Sequence, residues 1–197
     1  MSRIGIIVYN HFSCSALPFN KPVPTSTFIL SPDVIGTEEI QSGFPTYAKP
    51  GPYTVGMVNL QMPGDDWSLH LFIWYPVKDD KAPNLNGSPY PLVIYAPGWG
   101  SPALEGYGYL LQQIAAYGFV AMSWDPRAEA EGPLNKWYAP IAYRPLDLQF
   151  LLDYLASMTA QGGPLEGMVN WKQIAIAGHS MGGGTALQES GAPIDFS

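Results

Sequence analysis

The sequence predicts an α/β fold: a mostly parallel sheet with helices on both faces, entered through an antiparallel pair of strands at one edge. Three observations predict it. The runs PLVIYA (91–96), FVAMSW (119–124) and KQIAIAG (172–178) have the apolar content of strands covered on both faces. The stretches between them carry apolar residues at helical spacing. Ahead of them, YTVGMVNLQ and LHLFIWYP flank the turn signal PGDDWS, as in an antiparallel hairpin. Strands alternating with helices build right-handed crossovers, and helices on both faces of the sheet make three layers.

Each element has its own local reason. Pro18, Pro22, Pro24, Pro32, Pro45 and Pro50 interrupt residues 1–50, which read as an irregular Pro-rich arm packed along one domain, residues 51–197. Within the arm, Arg3 precedes the apolar run IGIIVY, which is shorter than the roughly 7–15 residues of a signal-peptide core, so secretion has no convincing signal and the compartment stays open. After the hairpin, KDDKAPNLNGSPY is a turn-rich crossing to the strand at 91–96. Leu104, Tyr107, Leu111 and Ile114 then form one face of a helix that Ser101 and Pro102 open and Gly118 ends. Beyond the strand at 119–124, a long loop holding Trp137 and Tyr138 leads to a second helix. Pro145 suits its first position and Asp147 its first turn, with Leu148, Leu151, Leu152 and Leu155 on one face. Gly162 and Gly163 close it, and a last helix runs from Met181 to Glu189.

Composition narrows the function. At 197 residues and 47% hydrophobic the chain buries one core. Nine Lys plus Arg against sixteen Asp plus Glu, with no basic run, give a net charge of −7 and no footing for a nucleic-acid backbone. The single cysteine, Cys14, offers neither an internal disulfide nor a metal spacing, and no run approaches the roughly 20 apolar residues of a membrane span. Neither a metal nor a cofactor is called for. Six Trp, twelve Tyr and eight Phe suit an apolar cleft, although most of them serve the core.

In a sheet of this kind ligands bind at the carboxyl ends of the strands, where APGWGS, DPRAEAEG and GHSMGG would face one crevice. The last of these follows a strand and opens a helix as Gly178-His179-Ser180-Met181-Gly182, the G-x-S-x-G of a nucleophile elbow. A serine on so tight a turn needs small residues two positions either side, and the helix N-terminus beneath it favours developing negative charge. Acyl transfer also needs two N–H donors for the tetrahedral oxygen. The amide of Met181 is one candidate. The other is Trp99 in the turn APGWGS, where Gly98 lets the backbone approach, and Trp99 and Tyr107 would wall the acyl pocket. Two other readings compete. Gly178, Gly182 and Gly184 also fit a dinucleotide-binding spacing, but three or more strands precede them and no Tyr has a Lys four residues on. A phosphate-binding loop lacks its Gly-Lys-Ser/Thr, and glycines of this spacing also serve plain helix-to-strand packing.

With these residues in place the chain resembles the α/β-hydrolase superfamily. GPYTVGMVNL, LFIWYPV, PLVIYAPGWGS, IAAYGFVAMSWD, RPLDLQFLLDYL and IAIAGHSMGGGTAL carry the resemblance, over about residues 51–190. GHSMGGG and the Pro-Gly-aromatic turn are most similar to bacterial cutinases or polyester hydrolases. IWYPV and RPLDLQFLLDYL look more like platelet-activating-factor acetylhydrolases and dienelactone hydrolases. The resemblance implies a serine esterase with Ser180 as nucleophile and Trp99 and Met181 as oxyanion donors, acting on small-molecule, lipid or polyester esters; oligomeric state is left open.

That family orders its triad Ser, Asp, His, and only 17 residues follow Ser180. The histidines are His11, His70 and His179. His179 sits inside the elbow with its side chain carried away from the serine, as a packing and hydrogen-bonding residue. His70 lies in an edge strand and His11 in the arm. Asp125 and Asp195 read as solvated or turn-forming carboxylates. The expectation is therefore an N-terminal portion of a hydrolase domain, lacking acid and base, inactive alone and with an open sheet edge beside its last strand. The competing class is a non-catalytic remnant or hydrolase-fold binding protein.

Overall fold

The computed structural model describes residues 5–9, 49–63, 68–126 and 135–192. Six strands form one sheet: β1 (Gly5–Tyr9), β2 (Thr54–Pro63), β3 (Ser68–Val77), β4 (Tyr90–Ala96), β5 (Val120–Asp125) and β6 (Val169–Gly178), in the order β1-β6-β4-β5-β3-β2. Helices α1 (Ala103–Ala116), α2 (Asn135–Thr159) and α3 (Met181–Glu189) connect and follow the central strands. β4 pairs parallel with both β5 and β6, while β2–β3, β3–β5 and β1–β6 are antiparallel. The sheet is thus mixed: a parallel centre of β5, β4 and β6 is joined by the predicted antiparallel hairpin on one side and by antiparallel β1 on the other.

The two faces bury different helices. On one, Leu71, Ile73, Tyr75, Leu92, Ile94, Met122, Trp124 and Ile176 pack with Leu148, Leu151 and Leu155 of α2 and Ala186 of α3. On the other, Phe72, Trp74, Tyr95, Ala121 and Ala177 pack with Ala103, Tyr107, Leu111 and Ala115 of α1. Alternate residues of one strand therefore serve opposite cores, the outcome expected of apolar runs buried on both sides. No helix among the described residues is long and apolar enough to cross a membrane.

Two elements depart from the sequence-based expectation. α2 begins at Asn135, ten positions before the start predicted at Pro145, so the expected loop around Trp137 and Tyr138 is helical backbone. Proline inside a helix deprives the carbonyl four residues back of its donor. Here that carbonyl belongs to Ile141, and Gln188 Nε2 of α3 donates to it at 3.1 Å. The tertiary contact replaces the bond that Pro145 removes. Gly5–Tyr9, placed in the irregular arm, is instead a strand paired with β6 from Gly5 opposite Gly178 to Tyr9 opposite Ile174. It occupies the side of β6 expected to be open. Residues 10–48, with the rest of that arm, lie outside the described residues.

Asp125 is neither merely solvated nor turn-forming. α1 has Pro102 at its N-cap with no side-chain cap of its own, and Asp125 Oδ1, reaching from the end of β5, accepts the Ala103 N–H at 2.6 Å. A carboxylate there satisfies an orphan donor and meets the positive end of the helix dipole.

At the far end of α3 the charge logic reverses. Burial raises the Glu189 carboxyl above its ordinary range, and the helix C-terminus also disfavours its anion. The folded state therefore binds the proton more tightly than the unfolded state. Its stabilising share is complete below the unfolded carboxylate range and is lost as pH rises through the raised folded value. Glu189→Gln should melt at a higher temperature than the unaltered chain near neutrality, with the gap closing as pH falls to about 4. Melting curves across that range check it.

Candidate active site

β6 ends at Gly178, and the chain turns into α3 through Ser180, whose φ of 52° and ψ of −120° lie in the region that favours glycine. Holding a serine there costs on the order of 1–3 kcal/mol. Ser180 is the N-cap of α3 and exposed, yet its side chain makes no capping hydrogen bond. Capping is the common reason for a serine at this position, and this turn forgoes it. Gly182 N–H is taken by His179 O at 2.8 Å, and Gly183 and Gly184 N–H by Ser180 O at 2.9 and 3.3 Å. Met181, the first residue of α3, has no acceptor within its own helix for its N–H.

Space dictates two glycines. A Cβ on Gly178 would stand 2.2 Å from Gly182 O, and one on Gly182 would stand 2.0 Å from Ala96 O. A Cβ on Gly184 would meet nothing within 4 Å. The positions required are those flanking Ser180 in G-x-S-x-G, and the third glycine of the dinucleotide spacing is dispensable for packing.

The turn after β4 lies alongside. His179 N–H donates to Ala96 O at 3.2 Å, extending the β4–β6 pairing into the elbow. Pro97 and Gly98 are buried, Trp99 is half-buried and Gly100, at φ 59°, reverses the chain. Gly98 N–H donates to Tyr107 Oη at 3.1 Å, and Tyr107 Oη lies 3.0 Å from His179 Nδ1. A Cβ on Gly98 would press on both of these side chains, at 3.1 Å from Tyr107 Oη and 2.9 Å from His179 Nδ1. Arg144, fully buried on α2, donates through Nη1 to Pro97 O at 2.8 Å.

The predicted site residues Trp99, Tyr107, Gly178, His179, Ser180, Met181 and Gly182 thus converge at the carboxyl ends of β4 and β6. Tyr107 sits under the turn, only 9% exposed, with its hydroxyl engaged by the loop and the elbow. His179 turns Nδ1 toward Tyr107. His70, on β3, is hydrogen-bonded to Asn59 and has Nδ1 3.5 Å from Asp125 Oδ2. Three strand spacings separate β3 from β6, about 14 Å across the sheet, so His70 does not join Ser180. His11, Asp195 and the side chains of Trp137 and Tyr138 lie outside the described residues. Among the described residues no group of three or more His, Cys, Asp or Glu could hold a metal ion. No sequence motif singles out Arg144, although it leads the stripe Arg144, Leu148, Leu151, Leu155, which places it on the buried face.

No family profile and no curated protein matches the sequence. Solved structures do match the fold. An acetyl xylan esterase from Paenibacillus sp. R4 superposes with a TM-score of 0.51 at 21% identity, covering 88% of this chain and 51% of that one. A ferulic acid esterase from Streptomyces cinnamoneus gives 0.49 at 21%, covering 74% and 57%. An S-formylglutathione hydrolase from Agrobacterium tumefaciens gives 0.42 at 18%, covering 69% and 52%. The chain spans little more than half the length of these structures, and the likeness is one of fold: the layered α/β arrangement expected of the chain.

Two predictions follow from the elbow geometry. Gly182→Ala should destabilise the protein by several kcal/mol or unfold it, since backbone on both sides must move, whereas Gly184→Ala, inside a helix and open to solvent, should gain a few tenths to about 1 kcal/mol. Ser180→Gly should melt above Ser180→Ala, because glycine relieves the positive-φ strain that alanine retains. Thermal denaturation of the four variants decides both.

Proposed function

We propose that this chain carries the nucleophile and oxyanion donors of a serine hydrolase that cleaves carboxylic esters through an acyl-serine intermediate. The observation that carries the reading is Ser180: a serine at the end of a central parallel strand, held at positive φ on a helix N-terminus and not used as a cap. Strain of this kind at a strand-to-helix turn exposes the hydroxyl above the sheet. The esterases that share the fold support an ester substrate at the level of class.

In the proposed reaction Ser180 Oγ forms a bond to the ester carbonyl carbon, and the carbonyl pair moves onto oxygen, where the amides of Met181 and Trp99 donate to it. A base removes the hydroxyl proton and returns it to the departing alcohol, leaving an acyl-serine. Water, activated by the same base, attacks that carbonyl and releases the carboxylic acid. On this reading the base and its acid lie outside the described residues. The Pro-Gly-Trp turn and GHSMGGG favour cutinase-like esters and IWYPV with RPLDLQFLLDYL acetylhydrolase-like ones, so the substrate class is a small-molecule, lipid or polyester ester.

Fluorophosphonate treatment of the natural gene product should modify Ser180 and no residue in Ser180→Ala. Equal labelling in that variant would overturn the proposal, and a protein that binds esters without Ser180-dependent turnover would establish the non-catalytic alternative.

A further inference from the structure

The loop proposed to supply an oxyanion amide is made of residues that do not hold a shape by themselves. Gly98 and Gly100 flank Trp99, and glycine has the widest choice of backbone angles. A stiffer residue at Gly98 would have to displace its neighbours, because a Cβ would lie 2.9 Å from His179 Nδ1. Rigidity must come from elsewhere.

It is available from two side chains that act on one peptide group. The carbonyl of Pro97 and the N–H of Gly98 belong to the same planar trans unit and point in opposite directions. Arg144 Nη1 donates to the carbonyl at 2.8 Å, from α2 on one face of the sheet. Tyr107 Oη accepts the N–H at 3.1 Å, from α1 on the other face. Gripped at both ends, the plane cannot rotate about its flanking bonds. The next peptide, Gly98–Trp99, has its carbonyl approached by Ser101 N–H at 3.5 Å, so the Trp99 N–H points away from the closed side of the turn.

The grip also reaches the elbow. Tyr107 has one proton to give and one of its lone pairs is taken by Gly98. The arrangement that uses every proton runs from Gly98 N–H to Tyr107 O–H to His179 Nδ1, 3.0 Å away, and puts the imidazole proton on Nε2. Tyr107 is itself fixed by the ring of Tyr95, with centroids 4.8 Å apart, and by burial.

We infer that Tyr107 and Arg144 are positioning residues that lock the Pro97–Gly98 peptide between the two helical layers and thereby aim the Trp99 amide at the substrate oxygen beside Ser180. The catalytic part of this inference rests on the esterase reading. The lock itself does not.

Tyr107→Phe removes one oxygen and leaves the ring, so the fold is retained. In the natural gene product, amide hydrogen exchange should show Gly98 exchanging about tenfold faster or more in Tyr107→Phe, with Ile94 in the core of β4 unchanged. With p-nitrophenyl butyrate, kcat should fall roughly ten- to a hundredfold while KM changes little, since a misaimed donor is felt in the transition state. Arg144→Met should lower kcat in the same way wherever its melting curve shows that it folds. Unchanged Gly98 exchange in Tyr107→Phe overturns the lock. Faster exchange with unchanged kcat overturns its role in positioning. Absence of Ser180-dependent turnover in the unaltered protein overturns the esterase reading, and the exchange measurement then still decides the lock.

Discussion

The first turn of α3 lies against the end of β4 with no room between them. The Gly182 backbone sits so near the carbonyls of Ala96 and Pro97 that any side chain there would overlap them. Most of the candidate site depends on that approach. It brings the two strand ends into register beyond the last sheet pairing, through His179 N–H on Ala96 O. It also forces the sharp turn at Ser180, because the helix must start almost at once after β6. Strain at one residue is thus the counterpart of close packing at another, and the tightly packed layers around the turn allow no relaxation.

The same juncture brings together two polar side chains that the layers bury. A fully buried guanidinium is costly unless its N–H groups find acceptors, and Arg144 finds one in the carbonyl of Pro97. Tyr107 finds the next amide and the imidazole of His179. These polar contacts sit at the strand ends, where ladder hydrogen bonding has stopped and backbone groups need other partners. Elsewhere the layers meet through apolar surface: Leu148, Leu151 and Leu155 on one face, and Leu111 and Ala115 on the other.

Helix ends show the same economy of long-range partners. α1 takes its cap from Asp125, twenty-two positions away in sequence, and α2 keeps its course through Pro145 because Gln188 serves the carbonyl of Ile141. In each case a local defect is repaired by an element that arrives beside it only when the layers are assembled. β1 is a further example, since a five-residue segment has no stability of its own and gains its hydrogen bonds from the edge of β6.

The sequence by itself determined what local periodicity and local stereochemistry can carry. The apolar runs at 91–96, 119–124 and 172–178 could be read as strands buried on both faces, the spacing of Leu104, Tyr107 and Leu111 as a helix, and Gly178-x-Ser180-x-Gly182 as a turn that only small flanking residues permit. These are properties of a few consecutive residues, and β4, β5, β6, α1 and α3 lie where they indicate, within a few positions. Tertiary structure decided whatever depends on a partner distant in the chain. Pro145 reads as a helix start until Gln188 is found beside Ile141. Gly5–Tyr9 reads as loose chain until an edge is offered to it, and Asp125 as a solvated carboxylate until Ala103 needs an acceptor. Arg144 stood in the apolar stripe of its helix, but its use could not be read there. A buried charge takes its meaning from the group it faces, and Pro97 lies forty-seven residues away in sequence, just past the end of β4.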